Sequence, residues 1–350
     1  MTRILALETS CDETAAAVIA DGRTILSTIV ASQAAQHAAF GGVFPEVAAR
    51  MHVEVVQTVV TQALAEAHLG LGEVDAVAVT RGPGLPGSLV VGVNAAKGLA
   101  YGAGKPLLGI NHLEGHVYSP WLLSDREPPD FPAIVLIVSG GHTELLLMRG
   151  HADYQRLGGT LDDAAGEAFD KVARLLDLSY PGGPAIEQAA RSGDPLKQGF
   201  SRAWLDGTWD FSFSGLKTAV LYAVRGQPYG KPLAGAVEPV DPARVPDLAA
   251  GFQAAVVEVL ATKAVRAAQR FGARAILLVG GVSANLALRE ALIASAPCPV
   301  IFPSLSLCTD NAAMIGAAAH WRYLAGQRDA LDFDILPTWP LESWSGERGA

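Results

Sequence analysis

The chain has 350 residues, with 26 Lys+Arg against 35 Asp+Glu and a formal net charge of −9. Half of the residues are apolar and 17% are charged, which excludes a disordered chain and provides for roughly two domains with full hydrophobic cores. The negative balance argues against nucleic-acid binding through the overall field, so any phosphate contact has to come from a local patch or another subunit.

In chain order, residues 3–8 (RILALE) read as a buried strand and 14–20 (TAAAVIA) as its partner across a polar turn holding Asp12 and Glu13. An opening that reaches two acids at once has no signal-peptide pattern. Residues 46–69 predict a long helix: Val47, Met51, Val55, Val59 and Leu64 recur near helical period, with Gly70 as the C-cap. A strand over 74–79, a glycine-rich turn and a helix near 88–101 follow. Strands alternating with helices predict an α/β protein with a largely parallel sheet. Residues 133–148 repeat the opening plan of strand, small turn and strand, and 275–295 make a further strand-turn-helix unit. This echo fits any α/β protein reusing one unit, or a duplicated two-lobed fold whose hairpin turns face a central cleft. Residues 226–246, with Pro228, Pro232, Pro239, Pro242 and Pro246, predict an irregular loop, and 326–350, with Trp339 and Trp344, show no periodicity. The apolar runs at 133–138 and 275–279 are strand-sized, well short of the ~18–20 residues of a membrane span. Cys11, Cys298 and Cys308 form no C-x-x-C pair. The expectation is a soluble, reduced, cytoplasmic protein with no membrane partner.

The sharpest chemical signal is Asn111-His112-Leu113-Glu114-Gly115-His116. Positions i and i+4 share a helix face, so both imidazoles can reach one metal ion, or simply line a surface; Asn111 is placed to cap that helix. Asp310, just before a helical stretch, is either a third ligand or an N-cap. A His-His-Asp set leaves coordination positions open and suits iron or zinc. Leu113 stands where the H-E-x-x-H of a metalloprotease has its glutamate. Glycine turns at Ser139-Gly140-Gly141-His142, Gly182-Gly183-Pro184 and Gly280-Gly281 can hold phosphate oxygens on backbone amides, although tight turns need glycine anyway. No P-loop G-x-x-x-x-G-K-[ST] is present. Asp163, Glu167 and Asp170 fall on one helical face, either solvated or, at Asp170, suited to ribose hydroxyls. Asp12 and Glu13 are either turn residues or paired acids able to position a metal, a base or a substrate amine.

With these pieces assembled, the sequence resembles the bacterial-type tRNA N6-adenosine threonylcarbamoyltransferase family, once labelled glycoproteases. The resemblance rests on Glu8-Thr9-Ser10-Cys11-Asp12-Glu13-Thr14, Gly41-Gly42-Val43-Phe44-Pro45-Glu46, Arg81-Gly82-Pro83-Gly84 and His112 to His116. Val138 to Thr143, Asp163 to Lys171, Tyr180 to Pro184, Phe211 to Thr218, Gly280 to Asn285 and Cys308 to Asn311 complete the set. These blocks run in order over residues 3–320. The resemblance implies the actin, heat-shock-chaperone and sugar-kinase fold: an N-terminal lobe (1–130, completed by a helix near 310–325), a C-terminal lobe (131–309) and an irregular tail (326–350) around a nucleotide cleft. It further implies transfer of a threonylcarbamoyl group from threonylcarbamoyl-AMP to N6 of adenosine 37 in tRNAs that read codons beginning with A. By the same resemblance His112, His116 and Asp310 hold one divalent metal ion, Fe2+ or else Zn2+. Ile137, Val138, Ser139, Gly140 and Gly141 lie along the phosphate and acyl part of the adenylate, while Asp170, Gly183, Glu187 and Asn285 hold ribose and adenine. Asp12 and Glu13 are the candidate proton acceptors. The implied partners are tRNA through its anticodon loop, a degenerate paralogous subunit and a small P-loop ATPase.

Three other classes compete. A kinase or chaperone-like ATPase of this fold has no need of the paired histidines. A small-molecule O-carbamoyltransferase of the same superfamily shares fold and metal set, and an assay with tRNA separates it. A non-catalytic scaffold should lack the metal ligands.

Overall fold

A short apolar run closed by an acid begins the structure, a computed structural model that describes residues 1–38, 42–122, 128–227 and 240–341. Gly41 of the second motif block, Pro228, Pro232 and Pro239 of the proline-rich stretch and Trp344 of the tail lie outside the described residues. Strand β1 (Arg3–Glu8) is followed by β2 (Glu13–Ala20), β3 (Thr24–Ser32), α1 (Ala34–Ala38), α2 (Pro45–Glu66), β4 (Ala76–Gly82), α3 (Pro86–Ala103), β5 (Leu107–Asn111) and α4 (His112–Tyr118). Then come β6 (Ala133–Val138), β7 (Thr143–Gly150), β8 (Asp153–Gly159), α5 (Ala165–Leu175), α6 (Gly182–Ala190) and α7 (Ser214–Val224). The last elements are α8 (Val245–Phe271), β9 (Ala275–Val279), α9 (Leu286–Ser295), β10 (Val300–Ile301) and α10 (Ala312–Leu324).

The chain divides into two units: 1–129 with Arg149–Tyr154 and the residues from Phe302 onward, and Asp130–Met148 with Gln155–Ile301. Residues 149–154 and 302–309, expected in the C-terminal lobe, cluster with the first unit. Each unit holds a five-stranded sheet, ordered β3-β2-β1-β4-β5 in the first and β10-β9-β6-β7-β8 in the second. The echo in the sequence is therefore a duplicated topology, with β6, β7 and β8 standing for β1, β2 and β3, and β9 and β10 for β4 and β5. The sheets are mixed rather than largely parallel, because short turns can join only antiparallel neighbours. β1 runs antiparallel to β2 and parallel to β4; β6 runs antiparallel to β7 and parallel to β9.

Leu5, Leu7, Val18, Val77 and Val79 are buried against Val59, Val60 and Val93 of α2 and α3. A central strand covered on both faces reads as an unbroken apolar run, which is why β1 and β6 were legible. Helix α2 starts with Pro45 at its first turn and stops at Glu66 rather than at Gly70. His68 takes the left-handed turn (φ 53°), and Gly70 instead opens a short 3-10 turn whose Glu73 carboxylate accepts from the Gly70 amide. Among the described residues, Pro242–Phe271 is long and apolar enough to cross a membrane, but 78% of its most apolar window is buried in the protein. It packs on α6, α9 and β6 as the core helix of the second unit.

Residues 329–341 have no periodicity because they form a strap. The Asp329 amide donates to Leu107 O (2.9 Å), the Leu336 amide to Arg81 O (2.9 Å), and Arg81 Nε to Asp334 O (2.7 Å). Asn111 Nδ2 donates to Trp339 O (3.1 Å) at the point where β5 becomes α4.

Candidate metal centre and nucleotide-binding turns

The first unit gathers acids and histidines at the ends of β1, β5 and the turn before α10. Asn111 ends β5 and caps α4, its Oδ1 accepting from the Leu113 and Glu114 amides (2.9 and 3.4 Å). His112 and His116 thus stand one turn apart on a helix whose start is fixed. The cap of α10 is Asn311, whose Oδ1 accepts from the Met314 amide (3.0 Å), so Asp310 is relieved of capping and turns to the histidines. Asp310 Oδ1 lies 3.1 Å from His116 Nε2 and 3.5 Å from His112 Nε2. The three ligand atoms lie within 4.8 Å of one another. Ligand bonds of about 2.0–2.2 Å bring donor atoms on one ion to roughly 3–3.5 Å apart, so the donor set and the two carboxylate–imidazole separations suit a small divalent metal.

Behind these ligands sits Glu8, fully buried at the end of β1. His112 Nδ1 donates to its Oε2 (3.0 Å), which also accepts from Thr80 Oγ1 (2.6 Å), and Oε1 accepts from the Ser10 amide. Burial works against protonation of His112, yet Asp310 and Glu8 together hold its pKa up at about 9. Burial would likewise raise the Glu8 carboxyl, but the imidazole charge beside it wins and holds it below the usual carboxylate range. Two carboxylates facing one imidazole favour positive charge there, and a carboxylate on the far nitrogen of a histidine that binds a metal fixes its tautomer and strengthens it as a donor.

The turn between β1 and β2 carries Asp12, and Glu13 begins β2. His52 of α2, completely buried, pins it: Thr14 Oγ1 donates to His52 Nδ1 (2.7 Å), and His52 Nε2 donates to Cys11 O (2.9 Å). Burial holds His52 below its ordinary pKa, so it serves as a neutral bridge. Glu13 Oε1 accepts from Ser32 Oγ (2.8 Å), while its buried Oε2 has no partner among the described residues. Burial raises Glu13 to about 7 against the opposing Ser32 hydroxyl. Burial and the nearby carboxylates push the Cys11 thiol far up, which disfavours its thiolate.

In the second unit, Ile137 and Val138 end β6 and the turn Ser139-Gly140-Gly141 follows. The Ser139 amide donates to His142 O (2.8 Å), and Ser139 Oγ accepts from the His142 amide (3.1 Å), leaving Gly140 and Gly141 exposed at the tip. The start of α5 closes on this turn: the Gly166 amide donates to Ser139 O (3.1 Å), and a Cβ on Gly166 would come within 2.5 Å of that oxygen. Asp170, further along α5, accepts from the Gly182 amide (2.7 Å), so one of its oxygens anchors α6 and Gly183 follows directly. Lys171 joins Asp163 and Glu167 (2.6 and 2.9 Å), and Glu187 faces Arg191 at 3.9 Å. Asn285 is engaged at both ends, capping α9 through Leu288 N (2.9 Å) and donating to Gln253 Oε1 (2.9 Å).

Sequence reasoning missed Glu8, His52 and the pair Glu114–Arg322. Glu8 carried a signal, a charged residue closing a fully apolar strand; His52 and Arg322 carried none, since each sits on a helix face indistinguishable from core.

The family model for tRNA N6-adenosine threonylcarbamoyltransferase (TsaD) matches residues 24–317. A protein of that name from Thermomicrobium roseum is 54% identical over 354 residues, covering 97% of this chain and 96% of its own length. Another from Dehalococcoides mccartyi is 50% identical over 341 residues, covering 97% of this chain and 100% of its own. Among solved structures, T. kodakarensis HypF has a TM-score of 0.62 at 16% identity, covering 93% of this chain and 48% of its own. That likeness shows the fold alone, an α/β fold of the actin, chaperone and sugar-kinase type with one five-stranded sheet in each unit. On nearly full-length identity of about half, the chain belongs to the tRNA N6-adenosine threonylcarbamoyltransferase family, and it is an acyltransferase.

Proposed function

We propose that this chain, acting in the cytoplasm, moves a threonylcarbamoyl group from threonylcarbamoyl-AMP to N6 of adenosine 37 in tRNAs reading codons that begin with A. The observation that carries the metal-assisted form of this reading is the convergence of two imidazole nitrogens and a carboxylate within 4.8 Å. His112, His116 and Asp310 hold one divalent ion, Fe2+ or Zn2+, which when bound supplies Lewis acidity toward a carbonyl oxygen and fixes the donor. AMP is a good leaving group, so no protein nucleophile is required, in keeping with the raised Cys11 thiol. The exocyclic amine of adenine is a poor nucleophile, and its proton has to leave as attack proceeds. Glu13, whose Oε2 has no partner among the described residues and whose pKa is raised to about 7, is the better suited of the two turn acids to accept it. Asp12 orients the amine beside it.

On the nucleotide side, the open amides of Gly140 and Gly141 receive the phosphate, with Ile137, Val138 and Ser139 shaping the acyl path. The second oxygen of Asp170, with Gly183 and Glu187, takes ribose; Asn285, engaged at both polar ends, acts by holding α9 in place for the adenine. A paralogous subunit and a small P-loop ATPase complete the assembly. The test is nucleoside analysis of unmodified tRNA after incubation with this chain, its partners and purified threonylcarbamoyl-AMP. Threonylcarbamoyladenosine at position 37 is expected; its absence from every tRNA tested would refute the proposal.

A further inference from the structure

Glu114 lies midway between His112 and His116 in α4, and at about 100° per residue it points away from the face that carries them. It is 1% exposed, and its partner Arg322 in α10 is 7% exposed. Arg322 Nε donates to both Glu114 oxygens at 3.0 Å, Arg322 Nη2 donates to Oε2 at 2.8 Å, and the Tyr154 hydroxyl donates to Oε1 at 3.0 Å. A buried pair of this kind is a weak source of stability, since desolvating both charges offsets most of their attraction.

Its geometry has a specific use. Elsewhere α4 and α10 meet smoothly: Gly115 fits so close to α10 that a Cβ there would stand 2.6 Å from Ile315 Cδ1. Five of the thirteen α10 residues are alanine (Ala312, Ala313, Ala317, Ala318 and Ala319). Small side chains make shallow ridges that leave rotation and register poorly fixed, whereas a buried guanidinium fork fixes both. A rotation of α4 by ~20° would carry an atom ~6 Å from its axis through ~2 Å, ten times the tolerance of about 0.2 Å on a metal–ligand bond. Resting on the metal assignment above, we propose that Glu114, Arg322 and Tyr154 are positioning residues that lock α4 on α10, so that His112 and His116 meet Asp310 in ligand geometry.

Co2+ is the probe, titrated into the full-length chain and read by visible absorption, with thermal unfolding of the same sample followed by circular dichroism. Arg322→Lys keeps the charge but loses the fork. The triple variant Glu114→Leu/Arg322→Met/Tyr154→Phe removes all the polar partners together, so that no buried charge is left alone. Both are expected to unfold cooperatively, to bind Co2+ about 10–100-fold more weakly than wild type, and to show shifted absorption bands. Wild-type affinity and spectrum in either folded variant would overturn the proposal, and if the triple variant does not fold, Arg322→Lys decides alone. Should the wild-type chain take up no Co2+, or His116→Ala take up as much, the metal assignment fails and the positioning role with it. Failure of the positioning role alone leaves wild type and His116→Ala distinct.

Discussion

Two carboxylates show how one residue type is set to different tasks by its surroundings. Glu8 faces His112 Nδ1 from a fully buried position and is held ionised by it. Glu8→Gln keeps the shape and removes the charge; metal affinity should fall by about 10–100-fold with melting still cooperative, as elemental analysis and calorimetric titration would show. Glu13 is raised by burial to about 7, so its proton is retained in the native state up to that pH. A raised carboxyl contributes stability that is complete below its unfolded value near 4.5 and is lost as pH rises through about 7. In the proposed role of Glu13 the dependence on pH is opposite, because only the ionised form accepts a proton. The transfer rate should rise with a midpoint near pH 7, and Glu13→Gln should lower it by roughly 10²–10⁴-fold and abolish that limb of the profile. A limb that persists unchanged in the variant would remove Glu13 from the role of base. Glu8 and Glu13 both lie in one recognisable block, where the sequence singles out Glu13 and passes over Glu8; the neighbours Ser32 and His112 give each its surroundings.

At the scale of elements, the Ser139-Gly140-Gly141 turn depends on close approach rather than on any one side chain. The N-terminus of α5 meets Ser139 O through the Gly166 amide at 3.1 Å, with no room for a methyl group. Gly166→Ala should force α5 and the turn apart, costing about 1–3 kcal/mol in a denaturant titration and weakening binding of a non-hydrolysable adenylate analogue by at least about tenfold. An alanine variant that matches wild type in both measurements would show that the turn tolerates displacement. The capping of α10 makes the same point about elements. Two adjacent residues, Asp310 and Asn311, are both good N-caps by composition, and the sequence does not choose between them. The fold chooses Asn311, because helix geometry then leaves Asp310 facing His116.

For the whole molecule, a net charge of −9 limits what tRNA can gain from the general field. Of the cations near the shared motifs, Arg81 is tied to Asp334 O and lies over the Phe333 ring, Lys197 pairs with Asp247, and Arg202 pairs with Glu258. The isolated chain should therefore bind tRNA weakly, with tight binding appearing only when the partner subunits are added. A salt titration reads this directly, and a steep, tight isotherm for the chain alone at physiological salt would contradict it. The sequence by itself determined what local pattern and composition can carry. These are the α/β class, the buried strands β1, β2, β6 and β9 as apolar runs, the i, i+4 histidine pair, and the ordered motif blocks that mark the family. It did not determine the full length of α8, which emerges from a proline-rich stretch, nor the strap at 329–341, which has no periodicity because its order comes from hydrogen bonds to Leu107, Arg81 and Asn111. Nor could it pair Glu114 with Arg322 across 208 residues, or place Glu8 on His112 across 104. Such contacts arise from close packing of elements distant in sequence, and residue spacing carries no record of which distant faces meet.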